Sequence, residues 1–303
     1  MKILHSISLI ITLLLLSGCG NQAQEEEHEL PGIVNFGNAN SRETYFTIHN
    51  IKKAWPYSKG AGVKVGILDS FFAYQFYPEL YAGGLSFQKE NLHDGFNTVP
   101  HHGFWMATTL REVAPEVEIY ALGIVSPNEN DQTQSMIKAI NWAVENELDI
   151  LTLSLARMSE EHRRKIDTAL EEAYRHGIIT TFIHYPHPQN ILPSKIEPRG
   201  DDAELNPKVN IYKYDYNVFM FEAYREYVES GKRVAQKPFL SISSKSPVLA
   251  GFVAMIRSLD PDLGSEEIEQ LLVQTSYTFE SEDTIIFNSV DMGAAVRRLV
   301  EGE

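Results

Sequence analysis

Three side chains in this 303-residue sequence have the chemistry of an acid, a base and a nucleophile, and each stands where such groups work. Asp69 ends the run Gly62-Val-Lys-Val-Gly-Ile-Leu-Asp69, whose apolar, mostly β-branched residues read as a parallel strand buried on both faces. In open α/β sheets the carboxyl edge is where ligands and reacting groups gather, although a lone Asp at such a place reads more plainly as a turn cap. His102 opens a stretch that reads as a helix to Val113. The serines of Ser241–Ser246, Ser243 among them, precede the apolar stripe of a buried helix. Serine becomes a nucleophile when an imidazole within hydrogen-bond reach takes its proton and a carboxylate fixes the tautomer of that imidazole. The order Asp, His, Ser is one of several reached by convergence, so order alone decides neither the chemistry nor which serine takes part.

The elements that must position these groups alternate strand and helix, the mark of an α/β domain with a parallel sheet. After Asp69 comes a loop through Pro78-Glu79-Leu80. The helix from His102 is followed by a strand over Val117–Ile124, a helix over Ser135–Asn146 and a strand over Ile150–Leu155. Ser159 is expected to cap a charged helix through Tyr174, with Glu160 and Glu161 in the turn where the helix dipole favours them. A strand over Ile178–Ile183 leads into a Pro-rich stretch, Pro186 to Pro207, with no regular pattern. Val248, Leu249, Phe252, Val253 and Ile256 stripe a helix over Pro247–Leu259, and amphipathic helices follow over Ser265–Leu272 and Val290–Leu299.

The first residues read as an address. Met1-Lys2 is basic, Ile7 to Leu16 is nearly all apolar and too short to span a bilayer, and Leu16-Ser-Gly-Cys19 follows. That run resembles the lipobox of bacterial lipoproteins, which implies cleavage before Cys19 and lipidation of its thiol; an ordinary secretory signal is the alternative. Residues 1–18 are then the signal peptide and residues 19–43 a lipidated, flexible acidic tether carrying Glu25-Glu-Glu27. Residues 44–303 form one domain. The expected location is the cell envelope, lipid-anchored to a bacterial membrane on the exported side. Cys19 is the only cysteine, so the domain has no disulfide and is held by its core. The formal net charge of -15 argues against a nucleic-acid partner.

From about Trp55 onward the chain resembles the subtilisin-like serine proteases (subtilases). Gly60-Ala-Gly-Val-Lys-Val-Gly-Ile-Leu-Asp69-Ser70 is similar to the family's Gly-Val-x-Val-Ala-Val-Ile-Asp-Thr-Gly, and His102-Gly-Phe-Trp-Met-Ala107 to its His-Gly-Thr-His-Val-Ala. Val113-Ala-Pro115, Ile119-Tyr-Ala121 and the strand reaching Ser154-Leu155 have counterparts there as well. Ser241-Ile-Ser243-Ser-Lys-Ser246-Pro-Val-Leu-Ala-Gly251 resembles Gly-Thr-Ser-Met-Ala-Ser-Pro-His-Val-Ala-Gly, and that register selects Ser243 over Ser241 or Ser244. The resemblance implies an α/β, subtilisin-like fold: a mostly parallel sheet with helices on both faces. It also implies a catalytic triad of Asp69, His102 and Ser243, a substrate-pairing strand at Ser154, Leu155 and Ala156, protein or peptide substrates, and part of an oxyanion hole from the backbone N–H of Ser243. No cofactor is implied, and a structural calcium is left open.

Departures from the pattern carry expectations of their own. Phe71 stands where the family has Gly, Ser241-Ile242 replaces Gly-Thr, and Ala156-Arg157 replaces Gly-Gly. Ile183-His-Tyr-Pro186 replaces the segment that ends in the oxyanion-hole Asn, leaving His184 or Asn190 as candidate donors. Lys245, where the family has Ala, is expected to be exposed. His101, His102, His184 and His187 invite a metal reading, but the register already uses His102, and the expectation is no metal. Two function classes follow: a membrane-tethered serine endopeptidase, or a catalytically impaired relative that binds peptides or acts as a scaffold. An esterase is a distant third.

Overall fold

The computed structural model describes residues 49–87, 100–124, 128–154, 159–183, 245–280 and 286–302. It also describes residues 33–35, 46, 96–97, 185, 187–191, 209–210, 219–221 and 243. Its elements in chain order begin with β1 (Ile33–Asn35), α1 (Ile51–Ala54), β2 (Lys64–Asp69), β3 (Gly83–Ser86), α2 (His102–Val113) and β4 (Glu118–Gly123). Then come α3 (Glu129–Glu145), β5 (Ile150–Leu153), α4 (Glu160–Arg175), β6 (Ile179–Phe182), β7 (Val209–Asn210) and β8 (Phe219–Phe221). The chain closes with α5 (Lys245–Arg257), α6 (Ser265–Gln274), β9 (Tyr277–Glu280), β10 (Ile286–Ser289) and α7 (Met292–Glu301).

Five strands form the main sheet in the order β3-β4-β2-β5-β6, and every pair in it is parallel. Residues 65–69 of β2 are all buried, because neighbouring strands flank it and helices cover both faces. Along it, Val65 and Ile67 face one core with α2 and α5, whereas Leu68 faces a second core with α3 and α4. The period-two alternation of a strand produces this division. The fold is therefore α/β, with a parallel sheet and helices on both faces. The chain builds β3 and β4 on one side of β2, then crosses to place β5 and β6 on the other. That reversal makes the carboxyl ends of β2 and β5 the natural crevice.

Helix α5 is buried over Lys245–Ile256, which explains why its sequence is apolar nearly all round. It packs on α2 at Gly251, where an added Cβ would lie 2.6 Å from Val113 Cγ1, so only glycine permits this approach. Ser159 caps α4 as expected, its hydroxyl accepting from His162 N. Helix α3 starts six residues before the expected Ser135, because the side chain of Asn128 accepts from Asn130 N and Asp131 N and caps it there. Strand β3 falls between Leu80 and His102, where the sequence pattern marks no element.

The segment before α1 is latched to the segment before α7. His49 Nδ1 donates to Val290 O at 3.1 Å, Met292 N donates to His49 O at 2.9 Å, and Asn50 Nδ2 donates to Asp291 Oδ2 at 2.8 Å. Burial pushes the His49 imidazole down to about 4, with the Val290 carbonyl acting weakly the other way. A histidine depressed in the folded state takes up its proton more readily when unfolded, so stability falls as pH drops from about 6.5 towards 4, by about 3 kcal/mol in all. Denaturant unfolding at pH 7 and pH 4.5 should show a loss about 2–3 kcal/mol larger in the parent than in His49→Gln. Equal losses in the two proteins would exclude this titration.

Candidate active site

Asp69 is the last residue of β2, 1% exposed, and its two carboxylate oxygens do different work. Oδ1 accepts from Ser70 N at 2.7 Å, which fixes the plane of the carboxylate. Oδ2 accepts from His102 Nδ1 at 2.6 Å, the short distance expected when the acceptor is charged. His102 begins α2, and the β2–α2 connection holds that helix in place. Gly103 N donates to Ser70 O at 2.8 Å, and Phe71 O accepts from His101 N at 3.1 Å and Phe104 N at 3.3 Å. Helix N–H groups that would otherwise lack partners are thus satisfied by the two residues that follow Asp69. Gly103 is required by closeness: a Cβ there would lie 2.4 Å from Ser70 O and 2.9 Å from the Phe72 ring.

Phe71 makes this bridge at φ 57°, and Ala73 follows at φ 52°. Left-handed backbone costs a non-glycine residue about 1–2 kcal/mol. The two helix N–H groups on the Phe71 carbonyl hold it there. No feature of the sequence beyond the absence of the family's glycine signals this conformation.

Ser154 follows β5 beside the tip of β2, one step beyond the Leu68–Leu153 pair in the parallel register. Its hydroxyl donates to Ser243 O at 2.6 Å, and Ser243 Oγ donates to Ser154 O at 3.3 Å. Ser246 Oγ donates to Leu153 O at 3.2 Å, and its carbonyl accepts from Thr181 Oγ1 at 3.3 Å. The start of α5 is therefore bound to the carboxyl ends of β5 and β6, with Ser243 at the edge of the sheet where Asp69 ends. Nothing in the sequence marks Thr181 for this part, since a threonine within a strand reads as an ordinary β-former. Leu155, Ala156, Arg157, His184 and Cys19 lie outside the described residues.

Burial lowers the affinity of the His102 ring for a proton, but the Asp69 carboxylate raises it by charge and by hydrogen bond. The net effect lies above the ordinary imidazole range. With Nδ1–H committed to Asp69, Nε2 is the nitrogen left to exchange a proton. An imidazole oriented in this way has the chemistry of a general base.

Two expectations for neighbouring residues are corrected. Asn190 is fully buried, with Nδ2 donating to Phe182 O at 3.1 Å and Tyr185 O at 2.7 Å, and Oδ1 accepting from Phe182 N at 2.8 Å. Both amide hydrogens are spent on the turn after β6, so Asn190 is no oxyanion donor here. Lys245 is 3% exposed rather than solvated, because even the first turn of α5 lies inside the protein. Burial pushes its ammonium down to about 8. Among the described residues, no group of three or more His, Cys, Asp or Glu side chains could hold a metal ion. His101 packs on Trp105, His102 meets Asp69, and His187 Nε2 reaches Glu171 at 3.3 Å.

The chain is similar to subtilisin-type proteases. Subtilisin DY of Bacillus licheniformis is 31% identical over 131 residues, 40% of this chain and 46% of that protein. A thermostable alkaline protease of Halalkalibacterium halodurans is 25% identical over 244 residues, 72% of this chain and 63% of its own length. Among solved structures, MycP1 with its N-terminal propeptide removed superposes with a TM-score of 0.55 at 15% identity, covering 83% of this chain and 96% of that one. The chain has the fold of the subtilisin-like serine proteases. A lanthipeptide protease agrees, with a TM-score of 0.56 at 13% identity, covering 87% of this chain and 96% of its own. No family model matches the sequence. The chain spans 46% of the first subtilisin-type relative and 63% of the second. The likeness read from its motifs to subtilisin-type proteases is thus borne out by the sequence relatives, and the fold by the solved structures.

Proposed function

We propose that this protein is a serine endopeptidase that hydrolyses peptide bonds in exported proteins or peptides, with Ser243 as nucleophile, His102 as base and Asp69 as the group that orients His102. The observation that carries the reading is the 2.6 Å bond from His102 Nδ1 to a buried Asp69 at the strand tip, on the edge of the sheet where Ser154 holds Ser243. In this reading His102 takes the hydroxyl proton as Ser243 attacks the carbonyl carbon, then returns it to the leaving amine. The imidazolium formed on the way is stabilised by Asp69. The backbone N–H of Ser243, at the head of α5, faces the developing oxyanion, where the helix dipole favours negative charge.

A second reading, a peptide-binding or scaffolding relative with impaired catalysis, is favoured by the engagement of Asn190 in the turn after β6. Loss of one oxyanion donor costs about a hundred- to a thousandfold in turnover. A fluorophosphonate probe separates the two readings. The peptidase is labelled at Ser243 and cleaves an unfolded protein substrate; absence of both, in a chain that retains its fold, leaves the binding module.

The proposed location is a bacterial membrane on its exported side, through lipidation of Cys19 at the end of the apolar run Ile7–Leu16. Among the described residues, no helix is long and apolar enough to cross a membrane. Cys19→Ser should move the protein from the membrane fraction to the soluble one and abolish palmitate incorporation. Unchanged partition and labelling would refute the anchor.

A further inference from the structure

Phe71 lies two residues past Asp69, is 37% exposed, and has a left-handed backbone at φ 57°. Glycine adopts that conformation freely, whereas a bulky residue there is an outlier. The backbone demand has a structural cause, since the Phe71 carbonyl receives His101 N and Phe104 N at the start of α2. The phenyl ring does not share that cause, because glycine would meet the demand without strain. A strained non-glycine residue beside reacting groups is a pointer to function.

The surroundings of the ring say which function. Phe71 stands edge-on to His101 with centroids 5.6 Å apart, and His101 lies tilted against Trp105 at 4.6 Å. The aromatic row therefore runs from Phe71, two residues after Asp69, through His101, one residue before His102, to Trp105. His101 is half-buried; burial and the neighbouring His102 lower its proton affinity, while Asp69 acts in the opposite sense, and the net shift is downward. The downward shift favours the uncharged form of this second ring, the form that suits an apolar group approaching Phe71. Four other large apolar side chains are exposed among the described residues: Phe76, Leu85, Val273 and Val300. None of them is so close in the chain to either member of the Asp69–His102 pair.

We propose that Phe71, backed by His101, is a specificity ledge that takes a large apolar side chain, aromatic above all, from a peptide lying across the Asp69–His102 pair. Covering an exposed ring with another ring buries apolar area on both, and the edge-to-face geometry that Phe71 already adopts with His101 is open to a third ring. The proposal rests on the site being a peptide-cleaving one, and the experiment separates the two.

Matched peptides carrying Phe or Ala at each position around the cleaved bond should differ at one position, with kcat/KM favouring Phe by about tenfold or more. Phe71→Gly, which suits the backbone and should not lower the unfolding temperature, brings that ratio close to one, chiefly through KM. Phe71→Tyr keeps the preference. A ratio unchanged in Phe71→Gly overturns the ledge, as does the lack of any preference in a parent that cleaves. The same peptides are titrated against the full chain carrying Ser243→Ala, where binding is read without hydrolysis. A preference for Phe that disappears on adding Phe71→Gly supports the ledge, and binding of neither peptide overturns it. Should the parent resist fluorophosphonate and cleave nothing while that binding preference stands, the peptidase reading falls and the ledge remains.

Discussion

Ser243→Ala should reduce peptide hydrolysis on the order of a millionfold, and adding His102→Ala should cost almost nothing more. The reason is that a base has no task once its nucleophile is gone, so residues acting as one unit lose activity together rather than in proportion. Asp69→Asn should cost about ten-thousandfold, because an amide can present its N–H to His102 Nδ1 and stabilise the wrong tautomer. The pH profile tests the same unit independently. His102 is active as a neutral base, and the Asp69 carboxylate beside it raises its proton affinity despite burial. Activity should therefore fall on the acid side as pH drops through a value above about 6.5, the ordinary imidazole midpoint. Removing the carboxylate in Asp69→Asn should move that limb to lower pH as well as depress the plateau. If Ser243→Ala hydrolyses at the parent rate, the proposed mechanism is excluded. If instead the double variant is far weaker than either single one, His102 acts on something other than Ser243.

What was legible in the sequence divides along physical lines. Strands β2, β5 and β6 and helix α2 were readable because each is rich in apolar and β-branched residues or carries an apolar helical face set by burial, and tertiary structure preserves those patterns. Strand β3 was not, because Gly83-Gly-Leu-Ser86 has one large apolar residue and owes its conformation to pairing with β4. The first turns of α3 carry Asn130, Asp131 and Gln132, so they show no apolar period, and only the Asn128 cap marks the start. At the site, Asp69 and His102 could be placed from their neighbours, since Gly103 and the strand before Asp69 are requirements of the same junction. The positions of Asn190 and Lys245 could not. Asn190 bonds to residues five and eight positions away around a Pro-containing turn, a partnership with no periodic signature. Lys245 is buried by its place in a helix enclosed on all sides, and a charge offers no hint of that.

Among the described glycines, Gly103→Ala should be the most damaging change to alanine. The added Cβ would lie 2.4 Å from Ser70 O and 2.9 Å from the Phe72 ring. The first is backbone that accepts from Gly103 N at 2.8 Å, and the second is a fully buried ring, so neither can swing away. The N-terminus of α2 would have to retreat from the Ser70–Phe71 strand end by at least half an ångström. Asp69 and His102 sit on opposite sides of that contact, and their 2.6 Å bond would stretch with it. Displacements approaching an ångström at a reacting pair cost about a hundredfold in turnover, and overpacking a tight junction costs about 1–3 kcal/mol of stability. Both losses should appear, in kcat with little change in KM and in the denaturant midpoint. Gly62, before the opposite end of β2, has no heavy atom within 4 Å of its ideal Cβ but φ at 76°, and so separates crowding from strain. Gly62→Ala should lower stability by about 1–2 kcal/mol through its left-handed backbone and leave kcat unchanged. A Gly103→Ala enzyme with parent kcat would mean that the β2–α2 junction does not set the alignment of Asp69 and His102.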